Sequence, residues 1–383
     1  MAAAMSEYQY YEFQAIDRPL NEADRQALRD LSTRARITAT SFTNSYEWGD
    51  FKGDPAKLME RWFDLHLYLT NWGSRRLMIR LPTRLVNRHL LDAFLGEVDC
   101  AEQRVVGENL ILDVGLDEVE AEDDDLEDGS GWLAALTPLR AEVLAGDLRL
   151  FYLLWLTAVE ADRVGAAELE PMLGIGPMTA ALEAFAAFFG IDPDLVQVAA
   201  ERPAVVVPSV STSVDVRKIL LAKTDSEKTG ILARLYDGDT HVALELRAKV
   251  RDRMAVETDA PPVVARTVGE LRARARALGL AREQAAAKKL AADRKRRLEE
   301  AEKARRVRLD TIARRGESVW REVEAEIERR NAAGYDKAAN LLLDLQAVAE
   351  DRSAMPDFEK RLRAIRERHA RKQQFVVRLA KIG

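Results

Sequence analysis

Arg266-Thr267-Val268-Gly269-Glu270-Leu271 opens a run that continues without proline through Trp320-Arg321-Glu322-Val323 to Arg330. Between Arg266 and Arg330 stand 20 Arg/Lys and 12 Asp/Glu. Apolar residues in its first part are sparse and mostly small: Leu271, Ala275, Leu278, Ala285, Leu290, Leu298 and Ala301. Ala, Arg, Lys, Glu and Leu lose little side-chain freedom in a helix, so the composition predicts a long helix. Unbroken, it runs roughly 100 Å. Such a helix buries little by itself, so it either projects into solvent or serves as a docking surface. Its far end differs: Leu309, Ile312, Val319, Val323 and Ile327 make an apolar seam, which predicts tighter packing there.

Beyond Arg330, three short helices are expected. Ala338, Ala339, Leu341, Leu342 and Leu345 line the first, Phe358, Leu362 and Ile365 the second, Phe375, Val376 and Leu379 the last. Packed on the end of the long helix they form a compact bundle.

Four motifs here carry a resemblance. They are Arg266–Leu271, Trp320-Arg321-Glu322-Val323-Glu324, Tyr335-Asp336-Lys337-Ala338-Ala339-Asn340-Leu341-Leu342-Leu343-Asp344-Leu345, and Leu362-Arg363-Ala364-Ile365-Arg366-Glu367-Arg368-His369-Ala370-Arg371-Lys372. On them, residues 266–383 resemble the C-terminal region of bacterial SWIM zinc-finger proteins. The zinc finger itself needs Cys-x-Cys and Cys-x-His, and this chain has a single cysteine, Cys100, so no zinc role carries over. What the resemblance implies is a shared helical tail, found beside a nucleic-acid or protein-binding module.

Upstream of Arg266, residues 214–256 read as helix broken near Asp237-Gly238-Asp239, and Pro261-Pro262 ends that section. That helix is expected to fold back on the long one as an antiparallel hairpin. Residues 202–213, with Pro203 and Pro208, read as an extended connection. Residues 132–201 read as an all-α domain whose apolar block Leu148–Leu156 is a central buried helix with Asp147 as cap, and Pro177 and Pro193 sit at helix starts. Residues 117–131 are acidic and end in Gly129-Ser130-Gly131, an exposed linker. The spacing is no calcium loop, because Leu126 and Ala135 would fall on ligand positions.

The first 116 residues read β-α-β-β-α-β. Glu7–Ile16 alternates like a strand, Asn21 caps a helix with Asp24 three residues on, and Ile37–Tyr46 is strand-like. Trp48–Gly53 is turn-rich and is expected to follow a short third strand. Asp54 and Pro55 start a second helix whose face is Leu58, Trp62, Leu65 and Leu69, and Arg75–Leu81 is the fourth strand. That order is the split arrangement of ferredoxin-like folds. A helix Arg84–Leu95 and a strand Asn109–Val114 extend it.

The totals bound function. The chain has 383 residues, a net charge of −6 and 47% hydrophobic residues, which predicts a folded protein of several domains. From Arg266 onward there are 31 Arg/Lys against 19 Asp/Glu, so the back is basic and the front acidic. One cysteine excludes an intrachain disulfide and fits a reducing cytoplasm. No basic region followed by an apolar run marks the N-terminus, where Met5 is an alternative start, so no signal peptide is expected. The apolar block Leu148–Val159 is too short to span a bilayer, so no membrane role is expected.

No catalytic signature emerges. His66, His89, His241 and His369 are scattered without a metal partner at helical spacing. His66, on the same helix as Trp62, reads as core-flanking. Thr229-Gly230 lacks Walker spacing, and there is no Gly-x-Ser-x-Gly elbow. No enzyme activity, catalytic residue, cofactor or metal is therefore expected. Two interaction readings remain. In one, the charged helix and terminal bundle hold a protein partner or another copy of the chain, as an adaptor or scaffold. In the other, nucleic acid binds the clusters Arg294-Lys295-Arg296-Arg297, Arg305-Arg306 and Arg314-Arg315. A second nucleic-acid surface would be an open sheet face carrying Tyr8 and Tyr10, with Tyr46 or Trp48 and with Arg76 and Arg80. The expected organisation is thus 1–116 ferredoxin-like, 117–131 linker, 132–201 helical, 202–213 linker, 214–330 helical arm and 331–383 bundle.

Overall fold

The computed structural model describes residues 7–47, 49, 51–119, 128–204, 217–218, 220–257 and 264–379. Trp48, most of the acidic linker (120–127) and most of the extended connection (205–213) lie outside them. The chain divides into two compact units, Met1–Leu280 and Ala281–Gly383.

The first unit is α+β and is built on one antiparallel sheet of seven strands. They are β1 (Gln9–Gln14), β2 (Arg36–Ile37), β3 (Ser41–Tyr46), β4 (Leu65–Thr70), β5 (Arg75–Pro82), β6 (Ala101–Val106) and β7 (Asn109–Leu116). Their order is β2-β3-β1-β4-β5-β7-β6. Helices α1 (Glu22–Leu31), α2 (Pro55–Arg61) and α3 (Arg88–Leu95) are interleaved. The signals for the first two are present: Asn21 and Asp24 form a reciprocal capping box, and the Asp54 carboxylate accepts the Ala56 N–H ahead of Pro55.

Three expectations about this region are corrected. Ile37–Tyr46 is two strands, because the Thr38 hydroxyl accepts the N–H groups of Thr40 and Ser41 and turns the chain between them. The second of them, β3, is the third strand of the chain and ends at Tyr46, directly before the stretch 48–53. The second helix stops at Arg61, and Leu65–Thr70 is strand β4. Leu58, Trp62, Leu65 and Leu69 fit a helical period, but Leu65, Leu67 and Leu69 also alternate with His66 and Tyr68. Pairing with β1 on one side and β5 on the other settles the contest. Arg75–Pro82 is therefore a fifth strand. The polar edge strand β6, joined to β7 through Gly107-Glu108, has no counterpart in the sequence reading.

Alternation sends the two sheet faces into different cores. Tyr11, Phe13, Phe42, Met78 and Ile111 meet α1 and α2 through Leu28, Leu58 and Met59. Tyr10, Leu67, Leu69, Leu77, Ile79 and Leu112 face a helical layer. That layer comprises α4 (Trp132–Leu136), α5 (Pro138–Leu144), α6 (Arg149–Glu160), α7 (Ala180–Phe188) and α8 (Pro193–Ala200). Residues 132–201 thus share one core with the sheet. Ten of the twelve residues of α6 are buried, Arg149 among them with its guanidinium on the Asp147 carboxylate. A Leu→Ala change in α6 costs about 2–5 kcal/mol. Asp147 also accepts the Arg149 N–H, whereas Pro177 precedes α7, which starts after Thr179. Pro193 is at a helix start, capped by Asp192.

Helices α9 (Asp225–Tyr236) and α10 (Val242–Glu257) form a hairpin. It docks on the 3-10 turn Thr83–Leu85 through Arg84, which binds the Asp239 carboxylate, rather than along the long helix as expected. The reason is charge: Arg84 and Arg234 both face Asp239 and Glu245.

The long helix α11 spans Val268–Arg315. The expected run to Arg330 is broken at Gly316, whose φ of +51° and ψ of −119° suit only glycine. The second unit continues with α12 (Glu317–Glu328), α13 (Ala332–Asp351), α14 (Met355–Arg368) and α15 (Gln373–Leu379). Its core is Ile312, Val319, Val323, Ile327, Tyr335, Ala338, Leu342, Phe358, Leu362, Ile365 and Phe375. The apolar seam and the three following helices therefore pack largely as the periodicity predicts, but Val376 is 39% exposed and Leu309 and Leu341 are half-buried.

Candidate interaction surface

The start of α11 is fixed by a buried charge cluster. Arg266 donates from Nε and Nη2 to Glu170, from Nη1 to the Val198 carbonyl, and from its backbone N–H to Glu170 Oε1 at 2.9 Å. The Tyr152 hydroxyl donates to Glu170 Oε2 at 2.8 Å, so both carboxylate oxygens are satisfied. Burial together with the Glu170 charge pushes the Tyr152 hydroxyl far above its usual range. Thr267 and Glu270 cap the helix reciprocally. Gly269 brings the backbone against Ala166, whose carbonyl would lie 3.1 Å from an added Cβ. The motif Arg266–Leu271 is thus an anchor.

Past the anchor the helix is bare. From Ala281 to Arg308 every side chain is exposed except half-buried Asp293. Leu290, Leu298 and Val307 are 72%, 63% and 65% exposed. Lys295 pairs with Glu299 at 3.8 Å, and Arg296 lies 3.4 Å from Asp293 and 3.8 Å from Glu300. Such exposed pairs add about 0.2–0.5 kcal/mol each. Arg294, Arg297, Arg305 and Arg306 make no ion pair or hydrogen bond with the described residues. Arg314 is likewise unpaired, while Arg315 binds Glu322. Arg308 binds Asp344 of α13.

The terminal bundle is laced by charge on its outside. Lys337 reaches Glu322 and Glu326, both at 2.9 Å, Lys372 reaches Glu328 at 2.8 Å, and Arg378 reaches Asp336 at 2.5 Å. His369 is buried with Nε2 3.3 Å from Glu324. The contacts of His369, Lys372 and Arg378 link residues more than 40 positions apart, those of Lys337 the successive helices α12 and α13.

The sheet residues do not assemble into one open face. Tyr10 pairs across to Leu69 and shares its side of the sheet, against the helical layer, where it is 7% exposed. Its hydroxyl donates to Glu12. Tyr8 donates to the Asp128 carbonyl. Arg76 pairs across to Tyr68, which pairs to Tyr11, so Arg76 and Arg80 point to the opposite side. There Arg76 holds Asp113 at 2.6 Å and Arg80 holds Asp64 at 2.8 Å. Tyr46 accepts a hydrogen bond from Asn44.

Arg80 belongs to a network that sequence reasoning missed. Asp64, fully buried, accepts the N–H groups of Ile16 and Asp17 and the guanidinium of Arg80. Arg140 of α5 clamps Asp17 with both terminal nitrogens and reaches the Arg80 carbonyl. His241 Nε2 lies 3.2 Å from Asp17. Burial works against ionisation of Asp17, yet hydrogen bonds from His241 and Arg140 hold its carboxyl well below the usual range. Every member has a partner, so the network locks the sheet end to α5 and the α9–α10 hairpin. His66, on β4 rather than on a helix, is stacked on Phe13 at 3.9 Å, and burial pushes its pKa down to about 3. Arg75 is 4% exposed and rests over Phe188 with no carboxylate partner among the described residues.

Among the described residues no cluster of three His, Cys, Asp or Glu is placed to hold a metal ion, and no helix is long and apolar enough to cross a membrane. Comparison with protein-family models, with curated proteins and with solved structures finds no match for the chain.

Proposed function

We propose that this chain is a non-enzymatic adaptor that holds a protein partner, or a second copy of itself, through α11 and the terminal bundle. The observation that carries the reading is the bare stretch Ala281–Arg308. A helix of about eight turns whose side chains are nearly all exposed is marginal on its own. Exposed Leu290, Leu298 and Val307 on it are side chains that a bound partner would cover. The anchor at Glu170 and Arg266 fixes where the helix begins, as a docking element requires. For residues 9–70 the order β2-β3-β1-β4, with α1 and α2 between, supports a ferredoxin-like core that was extended by β5, β7 and β6. The free Cys100 fits a cytoplasmic setting.

The test is light scattering coupled to size exclusion, with capture from lysate, on wild type and on Leu290→Ser/Leu298→Ser/Val307→Ser. The reading expects a mass above one chain, or a stoichiometric captured protein, lost in the variant. A wild type that stays monomeric and captures nothing overturns it.

A further inference from the structure

The ladder of β6 leaves its outer side open. The Cys100 carbonyl accepts the Gly115 N–H, so the Cys100 backbone faces β7. Alternation along an antiparallel pair then turns the N–H and C=O groups of Glu102, Arg104 and Val106 toward β7, and those of Ala101, Gln103 and Val105 away from it. Among the described residues no strand lies beyond β6, and these outward groups have no hydrogen-bond partner. The other end of the sheet is the two-residue β2, so β6 is the longer terminal strand.

The side chains of this edge complement themselves under a two-fold rotation. If β6 meets a second β6 antiparallel, outward residues must pair with outward residues to exchange N–H···O=C bonds. Centred on Gln103, the pairing sets Gln103 opposite its own copy, Ala101 opposite Val105 and Glu102 opposite Arg104, and it uses every outward residue of both chains. Moving the centre by one residue sets Glu102 against Glu102 or Arg104 against Arg104 and leaves an outward residue unpaired. Within one chain Glu102 lies opposite the like-charged Asp113 and has no cation within 4 Å among the described residues. Arg104 uses Nη1 on Glu60, and its other donors meet no acceptor among them. Gln103 Oε1 is buried and accepts no hydrogen bond from them. In the centred register it meets the amide of the other Gln103 on the same side of the sheet. Val105, 44% exposed, comes to lie against Ala101.

We infer that β6 is a self-association edge: two copies of the chain pair their β6 strands antiparallel about Gln103 and join their sheets into one. Such a contact is isologous, so it closes at two copies. The opposed Glu102 and Arg104 fix the register, and the outward backbone groups supply the bonds. β6 belongs to the first unit and shares no residue with α11, so this contact goes beyond the adaptor reading and does not rest on it.

Sedimentation velocity of the full chain over a dilution series tests it. The wild type should pass from monomer to dimer as concentration rises. Gln103→Pro removes an N–H that β7 does not use, so each chain still folds while the central exchange, and with it the dimer, is lost. Glu102→Arg alone and Arg104→Glu alone each set like charges opposite one another and should weaken self-association about tenfold. Mixed in equal amounts, these two variants should recover a dimer, because each chain then faces the opposite charge. Circular dichroism confirms that every variant folds. A wild type that stays monomeric throughout, a dimer that survives Gln103→Pro, or a mixture no more associated than its components overturns the inference. A dimer lost in Leu290→Ser/Leu298→Ser/Val307→Ser but kept in Gln103→Pro also overturns it and leaves α11 as the contact between copies.

Discussion

Arg266 and Glu170, 96 positions apart, meet in the interior as a two-pronged ion pair, with Nε 3.1 Å from both carboxylate oxygens and Nη2 2.9 Å from one. Glu170 is fully buried, so removing either partner strands a charge. Glu170→Ala is expected to lower the stability of the first unit by about 3–5 kcal/mol. Glu170→Leu combined with Arg266→Met should recover most of that, because two apolar groups leave no charge unpaired. Urea midpoints followed by tryptophan fluorescence measure both. A double variant as weak as the single one would refute the account.

His66 makes the first unit acid-sensitive. Its buried imidazole resists protonation down to about pH 3, whereas the unfolded chain takes up the proton near 6.5. The contribution is complete above pH 6.5 and falls away as pH drops toward 3. His66→Phe keeps the stack on Phe13 and removes the titration. Between pH 6.5 and 4 the variant's Tm should fall less than that of the wild type. Parallel Tm profiles would rule out His66 as the cause.

Arg75 predicts the reverse of the usual core result. Its guanidinium donates to the Thr70 and Ser74 carbonyls, but among the described residues Nε meets no acceptor and no carboxylate balances the charge. Desolvation pushes its pKa down. Arg75→Met preserves packing on Phe188 and relieves the buried charge, so stability should be unchanged or higher. A loss above about 2 kcal/mol in a denaturant titration would mean that the two carbonyl bonds outweigh desolvation.

Gly316 sets the break between α11 and α12. Nothing lies within 4 Å of an added Cβ, so Gly316→Ala introduces no clash and acts only through backbone conformation. The expected cost to the second unit is about 1–3 kcal/mol. Trp320 fluorescence on thermal unfolding reads it. A neutral result would show that the turn relaxes to another conformation.

The elements that were legible from sequence are those with one dominant period. The seam Ile312, Val319, Val323 and Ile327 repeats at helical spacing, and the Asn21 and Asp54 starts carry their own caps. Leu58, Trp62, Leu65 and Leu69 satisfy two periods, so β4 appears only once β1 and β5 flank it. Edge strand β6 fully buries none of its residues and looks like loop. The opposed sides of Tyr10 and Arg76 follow from register, which no single strand encodes. Asp17, Asp64, Arg80, Arg140 and His241 are spread over more than 200 positions, and no local pattern brings them together. On α11 the clusters were visible, but not that Lys295, Arg296 and Arg315 are the members that meet a carboxylate.

The bare stretch of α11 also sets how the protein responds to heat. Its backbone hydrogen bonds are held by propensity and a few surface pairs, not by a core. Each packed unit melts as a cooperative whole, whereas this stretch unwinds turn by turn. Far-ultraviolet ellipticity should therefore decline in a sloping baseline well below either transition, while tryptophan fluorescence stays flat.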